Sequence, residues 1–237
     1  MKVRYLVKFS KEKDIKFVSH LDLLRTIQRV VRRSQLPVEY SKGFNPHMST
    51  SLAQPLSVGM YSTGEYMDIV LTEEVSESKI IADFNNNAPA GVRLLDAAPV
   101  KEAGEGKKVP PSMALVDAAK YIITIKYSSI EKLSEEFSKL FEQSEWNIIK
   151  KTKNGEKLIN IRGMIRDFSY TIEEDCVRIT ALVSSGSREN LSADLLAQFI
   201  KNNTAGIKED AFVDIMREDM YVQLKDKYVS LCDYVRL

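Results

Sequence analysis

Along the first nine residues apolar side chains fall on every second position. Val3, Tyr5, Val7 and Phe9 alternate with Lys2, Arg4 and Lys8, the period of a half-buried strand. The period then lengthens. Over 20–35, Leu23, Leu24, Ile27, Val30 and Val31 recur at helical spacing, with Ser19 where an N-cap belongs and Asp22 at the capping-box position. Pro37 forbids continuation of that helix. An irregular segment over 40–51 leads to strands over 52–58 and 66–71, a short helix over 76–84 and a strand over 92–95. The resulting order is β-α-β-β-α-β.

Residues 101–111, rich in Gly, Lys and Glu and ending in Pro-Pro, break the pattern as a linker does. The order then restarts. Tyr121, Ile123, Ile125 and Tyr127 mark a strand, and Leu133, Phe137, Leu140 and Phe141 a helix stripe. Strands are predicted over 146–150, 157–165 and 176–183, a helix over 191–200 and a strand over 212–216; the chain after Asp219 is unassigned. Two such units predict an α+β protein of two tandem ferredoxin-like domains, each an antiparallel sheet with helices on one face. The expected boundaries are an N-terminal domain over 1–100, a linker over 101–114 and a C-terminal domain over 115–237.

The 237 residues suffice for two modest cores. Cys176 and Cys232 are the only cysteines, too few for a disulfide framework and wrongly spaced for a zinc site or an iron–sulfur triplet. No apolar run approaches the roughly 20 residues that span a bilayer, and the first residues read as a strand and not as a signal peptide. The expectation is a cytoplasmic protein with no membrane partner and no cofactor; no residue is assigned to a metal, and whether the histidine pair binds one stays open. Net charge is +1, but it is unevenly spread: residues 1–60 carry 11 Lys and Arg against 4 Asp and Glu, while the remainder is net −6. The asymmetry points to the N-terminal part as the part that meets an anionic partner, with a lysine-bearing solvated face as the alternative.

Within it, Arg25, Arg29, Arg32 and Arg33 stand at i, i+4, i+7 and i+8, on one helix face opposite the apolar stripe. A row of guanidiniums suits bidentate contact with phosphate; a solvated face is the alternative. Next comes Lys42-Gly43-Phe44-Asn45-Pro46-His47. Gly43 permits positive φ, Pro46 holds Asn45 extended, and free N–H groups of such a loop can cradle an anion. Phe44 either stacks on a base or packs in the core beneath a structural turn. Both histidines of the chain, His20 and His47, flank this 28-residue stretch. If the helix start and the loop meet, the two imidazoles can act as acid and base, or hold a metal with a carboxylate from Asp22, Glu65 or Asp68. In the second half, Arg162, Arg166, Lys150, Lys151 and Lys153 can extend a basic surface, and 186–190 precedes a helix whose N-terminus can take an anion.

Phe-Val-Ser-His-Leu-Asp-Leu-Leu-Arg over 17–25, Leu-Pro-Val-Glu-Tyr-Ser-Lys-Gly-Phe-Asn-Pro-His over 36–47, Ser-Leu-Ala-Gln-Pro-Leu over 51–56 and Gly59 resemble the bacterial radical-SAM-linked protein family, a domain of unknown function. Met48 stands where members commonly have another residue, often Pro, so no role is assigned to it. The resemblance implies an accessory partner of a radical SAM enzyme. Association of members with RNA processing and ribosomal functions implies RNA or a ribonucleoprotein as substrate. Tandem ferredoxin-like units also build repeat-associated CRISPR RNA endonucleases and, elaborated, some pseudouridine synthases, a fold-level analogy. Whether the chain is itself an enzyme stays open. The alternatives are a metal-independent RNA endonuclease using His20 and His47, and a protein–protein adaptor whose arginine face docks on an acidic partner.

Overall fold

The N-terminal alternation becomes β1 (Val3–Lys11), and the helical stripe becomes α1 (His20–Arg33). The structure, a computed structural model, describes residues 2–101, 109–152 and 155–237. After α1 come β2 (Thr50–Leu52), β3 (Tyr61–Leu71), α2 (Glu77–Asn87), β4 (Val92–Pro99) and the short α3 (Ser112–Leu115). Then follow β5 (Ala118–Lys126), α4 (Leu133–Glu142), β6 (Asn147–Thr152), β7 (Gly155–Asn160), β8 (Ile165–Ile172), β9 (Cys176–Ser184) and α5 (Ala193–Asn202). The chain closes with β10 (Asp214–Leu224), β11 (Lys227–Ser230) and α6 (Leu231–Arg236). It is an α+β protein, and its sheet is mostly antiparallel.

Two compact units emerge, one of Met1–Ala118 with Arg217–Leu237 and one of Ala119–Met216. The expected 1–100 and 115–237 division differs from this in its second part, because the last 21 residues fold with the first unit. Arg236 of α6 donates to both carboxylate oxygens of Asp96 on β4 at 2.7 Å, and Tyr66 and Lys8 share the Asp219 carboxylate at 2.6 and 2.7 Å. These contacts join positions 140 or more residues apart in sequence, which local periodicity cannot report. Of the expected linker, 102–108 lies outside the described residues. Its far end is no tether: Arg4 donates to the carbonyls of Val109 and Pro110, and buried Ser112 donates twice to Asp68.

In the first unit the strands run β4-β1-β3, with β2 and β10 also beside β3. Tyr5, Val7, Phe9, Met67, Ile69, Leu71 and Leu94 turn one face of this sheet toward Leu23, Ile27, Val30 and Val31 of α1 and Ile80 and Phe84 of α2. Alternation thus meets the helical stripe, and that junction is the core. The expected strand over 52–58 shrinks to Thr50–Leu52. Beyond Ala53, whose N–H donates to Tyr66, Pro55 has no N–H for the ladder. In the second unit β9 lies between β5 and β8, and β6 and β7 form a separate hairpin. The strand expected over 157–165 is two, β7 and β8, parted by a 3-10 turn at Arg162–Met164. Trp146, fully buried, stacks on Phe199 and donates its indole N–H to Leu140.

Candidate nucleic-acid interface

Ser19 caps α1 by accepting from the Asp22 N–H at 3.2 Å, and its hydroxyl donates to the Asp22 carboxylate at 2.7 Å. That hydroxyl, and then Arg25, holds the Asp22 carboxyl below its ordinary range. The helix buries Leu23, Ile27, Val30 and Val31, so the opposite face, with its arginines, meets water. The four guanidiniums are not equivalent. Arg25 pairs with Asp22 at 3.0 Å, and Arg33 donates to the Asn87 carbonyl at 2.8 Å. Among the described residues neither the Arg29 nor the Arg32 guanidinium has a salt bridge or a hydrogen bond, and both residues are exposed. The expected row of four is therefore two open guanidiniums, one shared with a carboxylate, and one tied back to the fold.

The Gly/Asn/Pro loop is a hairpin with a fixed stem. Val38 bridges Leu71, Glu39 N–H donates to Val70, and Ser49 N–H donates to Glu39. Tyr40 bridges Met48, Ser41 N–H donates to the His47 carbonyl at 2.8 Å, and His47 N–H donates to the Ser41 hydroxyl at 2.9 Å. Met48 is buried, which explains an apolar residue there: it plugs the stem into the core. Gly43, at φ 121°, turns the tip. Residues 40–47 are exposed throughout, and Phe44 is 112% exposed, so it has no part in the core.

Helix and hairpin are joined just past the stem, where Gln28 Nε2 donates to Thr50 Oγ1 at 3.2 Å. Gln28 lies one turn from both Arg25 and Arg32 along α1, so the hairpin's base borders the cationic face. His20 stands two turns before Gln28, about 12 Å along the axis at 1.5 Å per residue. His47 is three residues before Thr50, in the hairpin. Both histidines are exposed, and among the described residues neither imidazole has a side-chain hydrogen-bond partner to orient it.

The three carboxylates named for a metal are each engaged by protein groups. Asp22 is held by Ser19 and Arg25, Asp68 accepts from Ser112 at 2.6 and 2.8 Å, and Glu65 is sealed against Arg217. Among the described residues no group of three or more His, Cys, Asp and Glu is arranged to hold a metal ion.

Sequence reasoning missed a charged cluster inside the first unit. Arg217 of β10 forks onto Glu65 of β3 through Nε at 2.8 Å and Nη2 at 2.5 Å, and also donates to the Gln54 carbonyl at 3.0 Å. Lys11, 1% exposed, donates to the Lys16 carbonyl at 2.8 Å. Burial pushes its pKa down; Glu65 opposes that and Arg217 adds to it. Two cations thus lie in the field of the Glu65 carboxylate beneath the segment that leads into α1. A signal existed: in the sequence Lys11 falls on the same alternate positions as Val7 and Phe9.

The basic residues of the second half are largely occupied. Arg162 lies over the Trp146 and Phe141 rings, at 4.8 and 5.7 Å from their centroids, Arg166 pairs with Glu189, and Lys151 is 3.9 Å from Glu156. Lys153 lies outside the described residues. The N-terminus of α5 is capped by its own Ser192, which accepts from the Leu195 N–H.

A profile of a family described as an uncharacterized protein conserved in bacteria, DUF2344, matches residues 4–193. The chain belongs to that family. In this DUF2344 member the matched span holds α1 and the hairpin, whereas β10 with Arg217 lies beyond it. A search of the curated proteins finds no match. Among solved structures, a chain of the crystal structure of a Cbf5-Nop10-Gar1 complex is similar over 98% of this chain and 54% of that one, at 9% identity and TM-score 0.52. This chain thus spans about half the length of that protein, and the likeness concerns the fold alone. An unknown protein from Galdieria sulphuraria is matched at 12% identity over 94% of this chain and all of that one, with TM-score 0.26. A putative glycine cleavage system transcriptional repressor is matched at 10% identity over 97% and 99%, with TM-score 0.23. No helix among the described residues is long and apolar enough to cross a membrane.

Proposed function

We propose that this protein is a cytoplasmic accessory partner of a radical SAM enzyme that binds RNA, or a ribonucleoprotein, through the outer face of α1 and the adjoining hairpin. The observation that carries the reading is the pair of exposed guanidiniums, Arg29 and Arg32, that form no salt bridge among the described residues, beside an exposed hairpin bearing Lys42 and His47. Unpaired arginines on a helix face bind phosphate oxygens as a rigid fork, at little cost in side-chain freedom. The link to a radical SAM enzyme rests on the resemblance of the 17–25, 36–47 and 51–56 motifs. We read the fold as tandem ferredoxin-like units; the β4-β1-β3 order, with β2 beside β3, supports this for the first.

The test is equilibrium binding of a labelled RNA across a salt series. With Arg29, Arg32 and Lys42 on phosphates, log K falls with log salt at a slope on the order of −3. Replacing Arg29 and Arg32 with Gln reduces that slope by about 2. A slope near zero, or one indifferent to both substitutions, refutes the RNA reading. For the partner, tagged protein recovered anaerobically from the native cell is expected to carry an iron–sulfur enzyme with a cysteine triplet.

A further inference from the structure

The 40–48 hairpin combines three properties seen nowhere else among the described residues. Its tip presents the most exposed large apolar side chain, Phe44, at 112%. Its stem is held at both ends of the turn by main-chain bonds and by buried Met48, so the ring's position does not await a ligand. And its tip carries one sign of charge: no Asp or Glu occurs over 40–64, Lys42 stands two residues from the ring, and Glu39 at the foot of the stem is paired with Lys2. A lone aromatic ring in water forfeits the burial that ordinarily stabilises it. A rigid mount makes that burial available to a partner without an ordering penalty.

The partner must then offer negative charge and a flat apolar face together. An acidic peptide has the first without the second. A duplex has both, but its base faces are stacked inside and out of reach of a side chain. An unpaired nucleotide offers a phosphate and an open π face on the same residue, and every base has such a face. Resting on the RNA reading above, we propose that the hairpin is a stacking finger, in which Phe44 packs on an unpaired base while the cationic face of α1 takes the flanking phosphates. The RNA recognised is accordingly a single strand or a loop, not a duplex.

Fluorescence anisotropy of the full chain tests this with a labelled 12-nucleotide RNA free of self-complementarity, alone and annealed to its complement, over a salt series. The single strand is expected to bind at least tenfold more tightly. Phe44→Ala weakens it on the order of 10- to 100-fold, and Phe44→Trp restores it. The slope of log K on log salt stays as in the parent, because the ring releases no counter-ion. Phe44 makes no core contact, so the thermal transition of Phe44→Ala is expected to coincide with the parent's. Equal affinity for strand and duplex, or indifference to Phe44→Ala, overturns the finger while a retained slope leaves the RNA reading standing. Absence of any RNA binding overturns both. Displacement of the RNA by polyglutamate at equal charge concentration also overturns the finger, in favour of an acidic protein partner.

Discussion

Replacing Glu65 with Gln removes the carboxylate that Arg217 forks onto from a cluster holding two cations at 1% exposure each, Lys11 and Arg217. The amide keeps the shape of the side chain but loses its charge, and turns one acceptor of the Arg217 fork into a donor facing N–H groups. Removing one partner of a buried ion pair costs about 3–5 kcal/mol. In a chain of this size that lowers the melting temperature by roughly 6–20 °C. Arg217→Met should cost less, because Glu65 then keeps Lys11 as its counter-ion and one cation fewer is buried. The assay is guanidinium unfolding followed by the fluorescence of Tyr and Trp146, with calorimetry for the melting temperatures. The reasoning fails if Glu65→Gln costs under about 1 kcal/mol, or if Arg217→Met costs as much.

Lys11 has a folded-state pKa below its ordinary 10.5, so the unfolded chain binds more protons between the two values. Stability there rises with pH, and the parent should gain on Lys11→Met as pH climbs from neutral toward 10.5; parallel pH–stability curves exclude this. Asp96 is also shifted down, held below 3.8 by Arg236. Its contribution is full above that value and is lost as pH falls through the depressed one, so the stability gap between the parent and Arg236→Leu should close in acid melts. A Cβ on Gly64 would lie 2.4 Å from the Glu218 carbonyl and 2.6 Å from the Asp219 Cα, both backbone atoms. Gly64→Ala should therefore destabilise by more than about 2 kcal/mol in denaturant titration, and a neutral result would deny the close approach of β10 to β3.

The site was partly legible. The spacing of Arg25, Arg29, Arg32 and Arg33 put them on one face because a helix repeats every 3.6 residues whatever it packs against. That Arg33 spends its guanidinium on Asn87, 54 residues away, required the packed fold. Gly43 and Pro46 announced a special turn, yet burial decided between core and surface for Phe44, and burial belongs to the assembled molecule. Arg162 looked like available cation until Trp146 and Phe141 were found beneath it.

By itself the amino-acid order determined what acts over a few residues: the period of β1, the stripe and cap of α1, and the excess of positive charge over 1–60. These are steric and hydrogen-bonding preferences of neighbouring groups, carried by any copy of the segment. Only the tertiary structure decided that Arg217 and Arg236 return to the first unit, that Lys11 and Glu65 are sealed from water, and that the hairpin's base borders the cationic face. Those outcomes depend on which distant groups share a desolvated space, and the free energy of a buried charge is set by such neighbours and not by position in the chain.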